Sequence, residues 1–595
     1  MFNHLCLFLS PKTLFIFLVL SLNPLLSQIE FTKVFIPADS VQLKTDFSKQ
    51  NITWFWNEQF QYITHRPGLN WDFFNQYRTN LINPGTTSKR WKDEHDLKGL
   101  FYFGDHQNKY GLYTKSWILL DKQQETIVEY SNHSAGLFST YSLDKTLHFK
   151  PYLGYQRAKN ISKTDWGWDA GIATKVTNYK LGEYNTNLEA SSDYDFFDAR
   201  QNYNNKFATS LVTQFTPYTR DSLRVGYEES SKQFYSVSGD EIIEAKLYSR
   251  DIKNFMFYAI SPSNILSLET RIRSSDVSYF VRRNQFFLEN RVVLRHFGSN
   301  FDYEIDFRTN DETLDNTNTI TDSRTRQSAI GIKTYYNYNR KNELGFNLAY
   351  VKLQHDTPDE NNNDDRDEQR FVMDFSYKRE ISDVLSFMFD VYGFLYHQIY
   401  LFSPQSGNNN WNRVLKLSPE VVYKNEHFTN RLSTSVLANY TVYDFDRQNL
   451  ATRSYLSRKY ALSDSALLDL NSTISIGFHG RLEFEEKGNF FEKKFAQNLI
   501  QSYKISRMNT YIVKRIFQKF KLKMGYSYYK RSEWRHIPIK RRYRDLVNKG
   551  PYISMNYYVH NRLNLSAFAG VNFVDDSRNR QSSFNTGYLK LVYNL

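Results

Sequence analysis

The stretch Tyr588-Leu589-Lys590-Leu591-Val592-Tyr593-Asn594-Leu595 decides the fold. Leu589, Leu591, Tyr593 and Leu595 alternate with Tyr588, Lys590, Val592 and Asn594. Successive side chains of a strand point to opposite faces, so this strand has one apolar face and one mostly polar face. The same period recurs upstream. Phe371, Met373, Phe375 and Tyr377 oppose Val372, Asp374, Ser376 and Lys378. Leu415, Leu417, Val421 and Tyr423 oppose Lys416, Ser418, Glu420 and Lys424. Ile474, Ile476, Phe478, Leu482 and Phe484 oppose Thr473, Ser475, His479, Arg481 and Glu483. Leu563, Leu565, Ala567, Ala569, Val571 and Phe573 oppose Asn564, Ser566, Gly570 and Asn572. Each run is long enough for the roughly 9–11 residues of a tilted membrane strand.

The connections between these runs separate a soluble sheet from a membrane one. Long links are read at about 309–325, which is rich in Asn, Asp and Thr, and at 356–369, 403–412 and 444–464, and short ones at 339–343, 379–383, 425–429 and 486–493. Long and short alternate, which in an antiparallel sheet puts all long loops at one end. A soluble sandwich has no reason to keep that rhythm. Composition agrees: 17% of residues are aromatic, with 44 Tyr and 47 Phe, yet the chain is hydrophilic on average. A barrel with one lipid face and one wet face needs both properties. The expected fold is therefore all-β, a large antiparallel transmembrane β-barrel over 97–595 of about 22 strands, within a range of roughly 18–26. The chain end falls on the short-turn side.

The N-terminal region reads differently. Lys12 precedes the apolar run Leu14–Leu22, and Pro24 and Ser27 suggest cleavage near Ser27-Gln28, with Leu25 a poor match three positions before the cut. Residues 1–28 are thus expected to be a secretory signal, the run being too short for an ordinary membrane helix. Cys6 is the only cysteine and lies inside it, so the mature chain has no disulfide, thiolate metal site or cysteine nucleophile. Trp54, Trp56, Trp71 and Trp91 crowd 29–96, where alternation is weak, and Trp71, Phe74, Tyr77 and Leu81 fall at roughly helical spacing. This segment is expected to stand outside the barrel wall, as a periplasmic piece or a plug.

The final segment resembles the C-terminal signal of bacterial outer-membrane barrels, whose pattern is polar, any, Gly, any, hydrophobic, any, hydrophobic. Here it is Asn585, Thr586, Gly587, Tyr588, Leu589, Lys590 and Leu591, with Tyr593 continuing the apolar face; the terminal residue is Leu595 rather than the usual aromatic. The resemblance covers this one segment and names the class, porin-like outer-membrane barrels. It implies the outer membrane of a Gram-negative bacterium, surrounding lipid and lipopolysaccharide as partners, and recognition by the barrel-insertion machinery.

Net charge is +13, or +12 without Lys12. Export excludes nucleic acid as the partner and favours anionic headgroups, glycans or small anions. Lys519, Lys521 and Lys523 alternate with Phe520, Leu522 and Met524, which predicts a basic ladder facing the lumen. The bland reading is that lumen positions are simply polar. Arg531, Arg535, Lys540, Arg541, Arg542, Arg544 and Lys549 crowd a link at 531–549 against Glu533 and Asp545, predicting a basic extracellular loop among phosphates or anionic glycan. A solvated basic loop is its bland counterpart.

No metal, cofactor or catalytic group is assigned. Asp359, Asn361 and Asn363 fit the first positions of a calcium loop, but Asp364 stands where Gly is needed and Arg370 where a bidentate Glu is needed. No zinc-protease, phosphate-loop or dinucleotide motif occurs. His355, His427, His479 and His536 have no spacing that groups them. The leading reading is a pore or transporter for small polar or anionic solutes. The alternatives are a surface barrel binding glycan, lipopolysaccharide or protein through its loops, and a barrel hydrolase.

Overall fold

The computed structural model describes residues 40–594, except 66–68, 84–88, 105–107, 123–126, 144–145, 161–162, 237–240, 318–320, 447–451, 518 and 559–561. The signal-like leader, Cys6 and Leu595 lie outside the described residues. One sheet of 28 antiparallel strands, β1 to β28 in chain order, runs from β1 (Ser40–Gln50) to β28 (Asn579–Asn594). Each strand pairs with its chain neighbours, and β1 pairs with β28 from Gln42↔Asn594 to Gln50↔Thr586, so the sheet closes. At about 4.8 Å between strands and a tilt of about 40°, a round ring of this size spans about 55 Å between opposite backbones.

Directly paired residues in a sheet share a face, so the register can be followed around the ring. Lys590 meets Asp46, Arg78 meets Glu94, Lys206 meets Glu228, Asp251 meets Arg273, Glu269 meets Arg291 and Glu304 meets Lys333. Ser566 then meets Lys590, back at the start. The polar set of each strand is thus continuous through all 28 pairings. The opposite set is mostly apolar: Leu112, Leu137 and Leu153 are successive partners, as are Ile512, Met524 and Ile553, and all six are exposed. Exposed apolar side chains on one face and ionised ones on the other are stable only with hydrocarbon outside and water inside. The protein is an outer-membrane β-barrel, with Leu589, Leu591 and Tyr593 toward lipid.

The two ends differ. At the end where β1 begins and β28 finishes, no connection exceeds four residues, and β16 (Ser323–Asn339) turns directly through 340–341. At the other end, connections 357–365, 401–409 and 444–454 are long. Barrels of this class keep short turns in the periplasm, which makes the long-loop end the outer one. Turn chemistry fits the tight side: Gly182, between β8 (Lys163–Leu181) and β9 (Tyr184–Phe197), has φ +61, a conformation glycine adopts without strain.

Three expectations are corrected. The strand number is 28 rather than about 22 and exceeds the expected range, and the barrel occupies nearly the whole described chain. Residues 40–96, expected outside the wall, form β1, β2 (Thr53–His65), β3 (Asn70–Ile82) and the start of β4 (Arg90–Gly104). Bulky aromatics on both faces, Trp54 and Trp56 against Phe55, conceal period two there. Phe74 faces inward while Trp71, Tyr77 and Leu81 face out, so their helical spacing was coincidental. The long link at 444–464 ends early, because Tyr455–Asp469 is strand β22. Residues 486–491 accordingly finish β23 (Ile474–Phe491) at the outer end instead of forming an inner turn.

Candidate functional site

The lumen wall carries the chemistry, and one local device recurs in it. A tyrosine from one strand lies in the notch left by a glycine on a neighbouring strand. On β5 (Asn108–Lys122), Tyr113 covers Gly136 of β6 (Ile127–Ser142) and Gly154 of β7 (Leu147–Asn160); a Cβ at Gly154 would collide with its hydroxyl and lie 2.6 Å from Asp169 Oδ1. Tyr152 covers Gly171 of β8 in the same way. Their hydroxyls donate to Asp169 and Asp193, each at 2.7 Å. Lys115 Nζ sits 5.0 Å from the centre of both rings, and Gln156 donates to Asp195 at 3.1 Å. This acidic wall went unseen in the sequence, since its members are single residues spread over the consecutive strands β5 to β9.

The second wall lies on β23, β24 (Ala496–Ile516), β25 (Phe520–Arg535) and β26 (Arg541–Tyr558). Tyr511 covers Gly477, and Tyr552 covers Gly525 with its hydroxyl donating to Asn509 at 2.7 Å. Lys523 Nζ is 3.6 Å from the Tyr511 ring centre and 5.7 Å from that of Tyr552. Lys521 pairs directly with Arg515, which reaches Asp469 at 3.5 Å. Arg507, opposite Arg481, rests 5.5 Å from the Tyr529 ring centre. Among the described residues, Lys521, Lys523 and Arg507 have no carboxylate partner.

Between these walls several lumen charges are paired. Lys253–Glu269 at 2.6 Å, Arg271–Asp251 at 2.7 Å and Arg291–Asp306 at 2.8 Å tie β12 (Ile242–Ser261) to β15 (Phe301–Asn316).

The expected ladder is thus partly assembled. Lys521 and Lys523 share the lumen face, but Lys519 falls in the turn after β24, where its backbone N–H donates to the Phe517 carbonyl. The expected basic loop is mostly strand. Arg531 and Arg535 end β25, Arg541, Arg542, Arg544 and Lys549 belong to β26, and of the named cations only Lys540 lies in the connection 536–540. Arg531 pairs with Glu533, Arg542 with Asp545 and Arg544 with Asp576. Asn585, Gly587, Leu589, Leu591 and Tyr593 lie in β28, where Gly587 is held between Ala569 and Lys49.

The histidines are scattered. His355 contacts Thr325 at 3.0 Å, His536 contacts Ser502 at 2.9 Å, His427 lies in an inner turn and His479 stands opposite Ser465. No group of three potential metal ligands occurs among the described residues.

No family model and no curated protein matches the chain. Solved structures do. The siderophore receptor PirA from Pseudomonas aeruginosa is 8% identical over 87% of this chain and 86% of its own, with a TM-score of 0.36. The copper transporter OprC is 9% identical over 94% and 80%, at 0.42. The FrpB iron transporter from Neisseria meningitidis is 9% identical over 94% and 83%, at 0.41. The likeness extends to a large barrel and no further.

Proposed function

We propose that the protein is an outer-membrane pore or transporter for small polar solutes that favours anions. The observation carrying this is the carboxylate-free set Lys521, Lys523 and Arg507 on the lumen face, with the lysine head held against Tyr511 and Tyr552. An ammonium or guanidinium resting on a ring keeps its charge and its outward N–H donors. A barrel of this width encloses water. A single charge at 4 Å attracts an anion by about 1 kcal/mol in bulk water and by about 4 kcal/mol beside a low-dielectric wall. Screening removes the attraction beyond about 8–10 Å at physiological salt. The basic wall therefore biases solutes moving along it without filtering the whole lumen, and selectivity is a few-fold.

Residues 1–28 serve export in this reading, and the β28 motif serves recognition by the insertion machinery. Refolded protein in a planar bilayer tests the proposal. Stepwise channels with a modest anion preference are expected; a folded barrel that gives no conductance and takes up no labelled small anion would sink it.

A further inference from the structure

A third wall of the lumen has a chemistry that the anion reading does not use. It lies on β26, β27 (Leu563–Asp576) and β28, beside the closing seam. Register puts the even-numbered residues of these strands on the lumen face. From Leu546 to Asn556, from Asn564 to Val574 and from Ser582 to Tyr588, no described lumen-facing residue carries a carboxylate, an amine or a guanidinium. The ionised groups stand at its ends: Arg544 with Asp576 at the outer end, and Lys590 opposite Asp46 at the inner end.

What fills this neutral sector is a strip of rings. Tyr552 and Phe568 have centres 5.8 Å apart and planes 31° from parallel, and Phe568 and Tyr588 have centres 5.7 Å apart and planes 16° from parallel. Glycines let the rings lie down. The Tyr552 ring covers Gly525, and Phe568 Cζ comes within 3.3 Å of where a Cβ on Gly570 would stand. A ring laid over a glycine turns one face to the wall and the other to the lumen. Tyr588 is 42% exposed. Neutral hydrogen-bonding groups border the strip. Ser554 stands opposite Phe568, Asn572 donates to Thr586 at 3.1 Å, and Ser48 and Gln50 face Tyr588 and Thr586 across the seam.

This combination matches one class of solute. A saccharide unit has an apolar C–H face, which rests on an aromatic face, and a rim of hydroxyls, which exchange hydrogen bonds with amides and hydroxyls that both donate and accept. Ionised groups hold water far more tightly than neutral ones, so a neutral solute displaces water from this wall at lower cost than from the charged walls. The ring spacing is comparable to the length of one pyranose unit. We infer that this wall is a binding track for neutral saccharides, with Tyr552, Phe568 and Tyr588 as successive stacking platforms. The inference rests on the water-filled lumen of the proposed pore and gives it a second solute class, which the basic wall does not select.

The test is calorimetric titration of refolded full-length protein, in micelles of a detergent without a sugar headgroup. The probes are maltohexaose, cellohexaose and N-acetylchitohexaose, with a polyethylene glycol of similar mass as a neutral chain that has no ring faces. Saturable binding of at least one glycan is expected, and none of the polyethylene glycol. For the glycan that binds tightest, Phe568→Ala with Tyr588→Ala should weaken affinity at least about tenfold. Tyr588→Trp should retain it. Phe394→Ala, at a lumen aromatic of β19 (Leu385–Tyr400), should leave it unchanged. Affinity should also be the same at low and high salt, because no ionised group takes part. If the alanine pair fails to refold, Tyr588→Leu, at an exposed position, should give a smaller loss. A conducting barrel that binds none of the three glycans would overturn this inference and leave the pore reading standing; a barrel that binds glycan without conducting would do the reverse. Full affinity in the alanine or leucine variants, or equal binding of the polyethylene glycol, would also overturn it.

Discussion

The wall of β5–β9 and the wall of β23–β26 are built alike and charged differently. In each, two tyrosines lie in glycine notches and one lysine rests between the rings. In the first wall the tyrosine hydroxyls donate to Asp169 and Asp193, with Asp195 held nearby by Gln156, so carboxylates surround Lys115. In the second wall Tyr552 donates to a neutral acceptor, Asn509, and Lys523 has no carboxylate at hand. The notch supplies rigidity in both. The acceptor chosen for the hydroxyl sets whether the lysine's charge reaches the lumen.

If the notches are the shared frame, filling one should be costly in either wall. Gly154→Val drives a side chain into the space of the Tyr113 hydroxyl and Asp169, and Gly477→Val into the Tyr511 ring. Each should cost about 2–4 kcal/mol, read as a lower denaturant midpoint of the refolded barrel. Gly226, whose nearest neighbour to an added Cβ is 3.8 Å away, is the control, and Gly226→Ala should be near neutral. Equal losses at all three positions would mean that strand glycines matter for reasons other than the tyrosines.

The charge half of the comparison is broken by Asp169→Asn with Asp193→Asn. Both retain a hydrogen-bond acceptor for the tyrosines but free Lys115 of its counter-charges. Anion preference of the channel should rise, by about twofold given the width of the lumen. Unchanged selectivity would show that this wall lies out of the solute path.

The smallest effect concerns the hydroxyls themselves. Tyr113→Phe leaves a carboxylate short of a donor, whereas Tyr552→Phe releases only an amide. The first should cost about 1–2 kcal/mol and the second about 0.5–1 kcal/mol in the same unfolding assay. Equal costs would remove the distinction between the two acceptors.

The legible part of this fold was the part where one face is plainly apolar. β18 (Arg366–Ser382), β20 (Asn410–Lys424), β23, β27 and β28 announce themselves, because lipid outside and water inside impose opposite demands on alternate residues. β2 and β3 escaped because Phe55 and Phe74 put aromatic bulk on the lumen face as well. β22 escaped because Arg458 and Asp464 interrupt its outward face near Tyr460 and Leu462. The site was less legible than the fold. The Lys521 and Lys523 pattern is visible in five residues, but Tyr511 and Tyr552, which hold Lys523, lie on two other strands. A lysine two residues earlier, Lys519, looks identical in sequence and ends in a turn.

The proposed anion preference rests on the lumen cations of β24–β25 that have no carboxylate partner among the described residues. The direct measurement is the reversal potential of refolded protein across a potassium chloride gradient, for the native chain and for Lys521→Gln with Lys523→Gln. A native potential on the chloride side that moves most of the way to zero in the variant is the predicted result. A variant that conducts with the native reversal potential would contradict the claim.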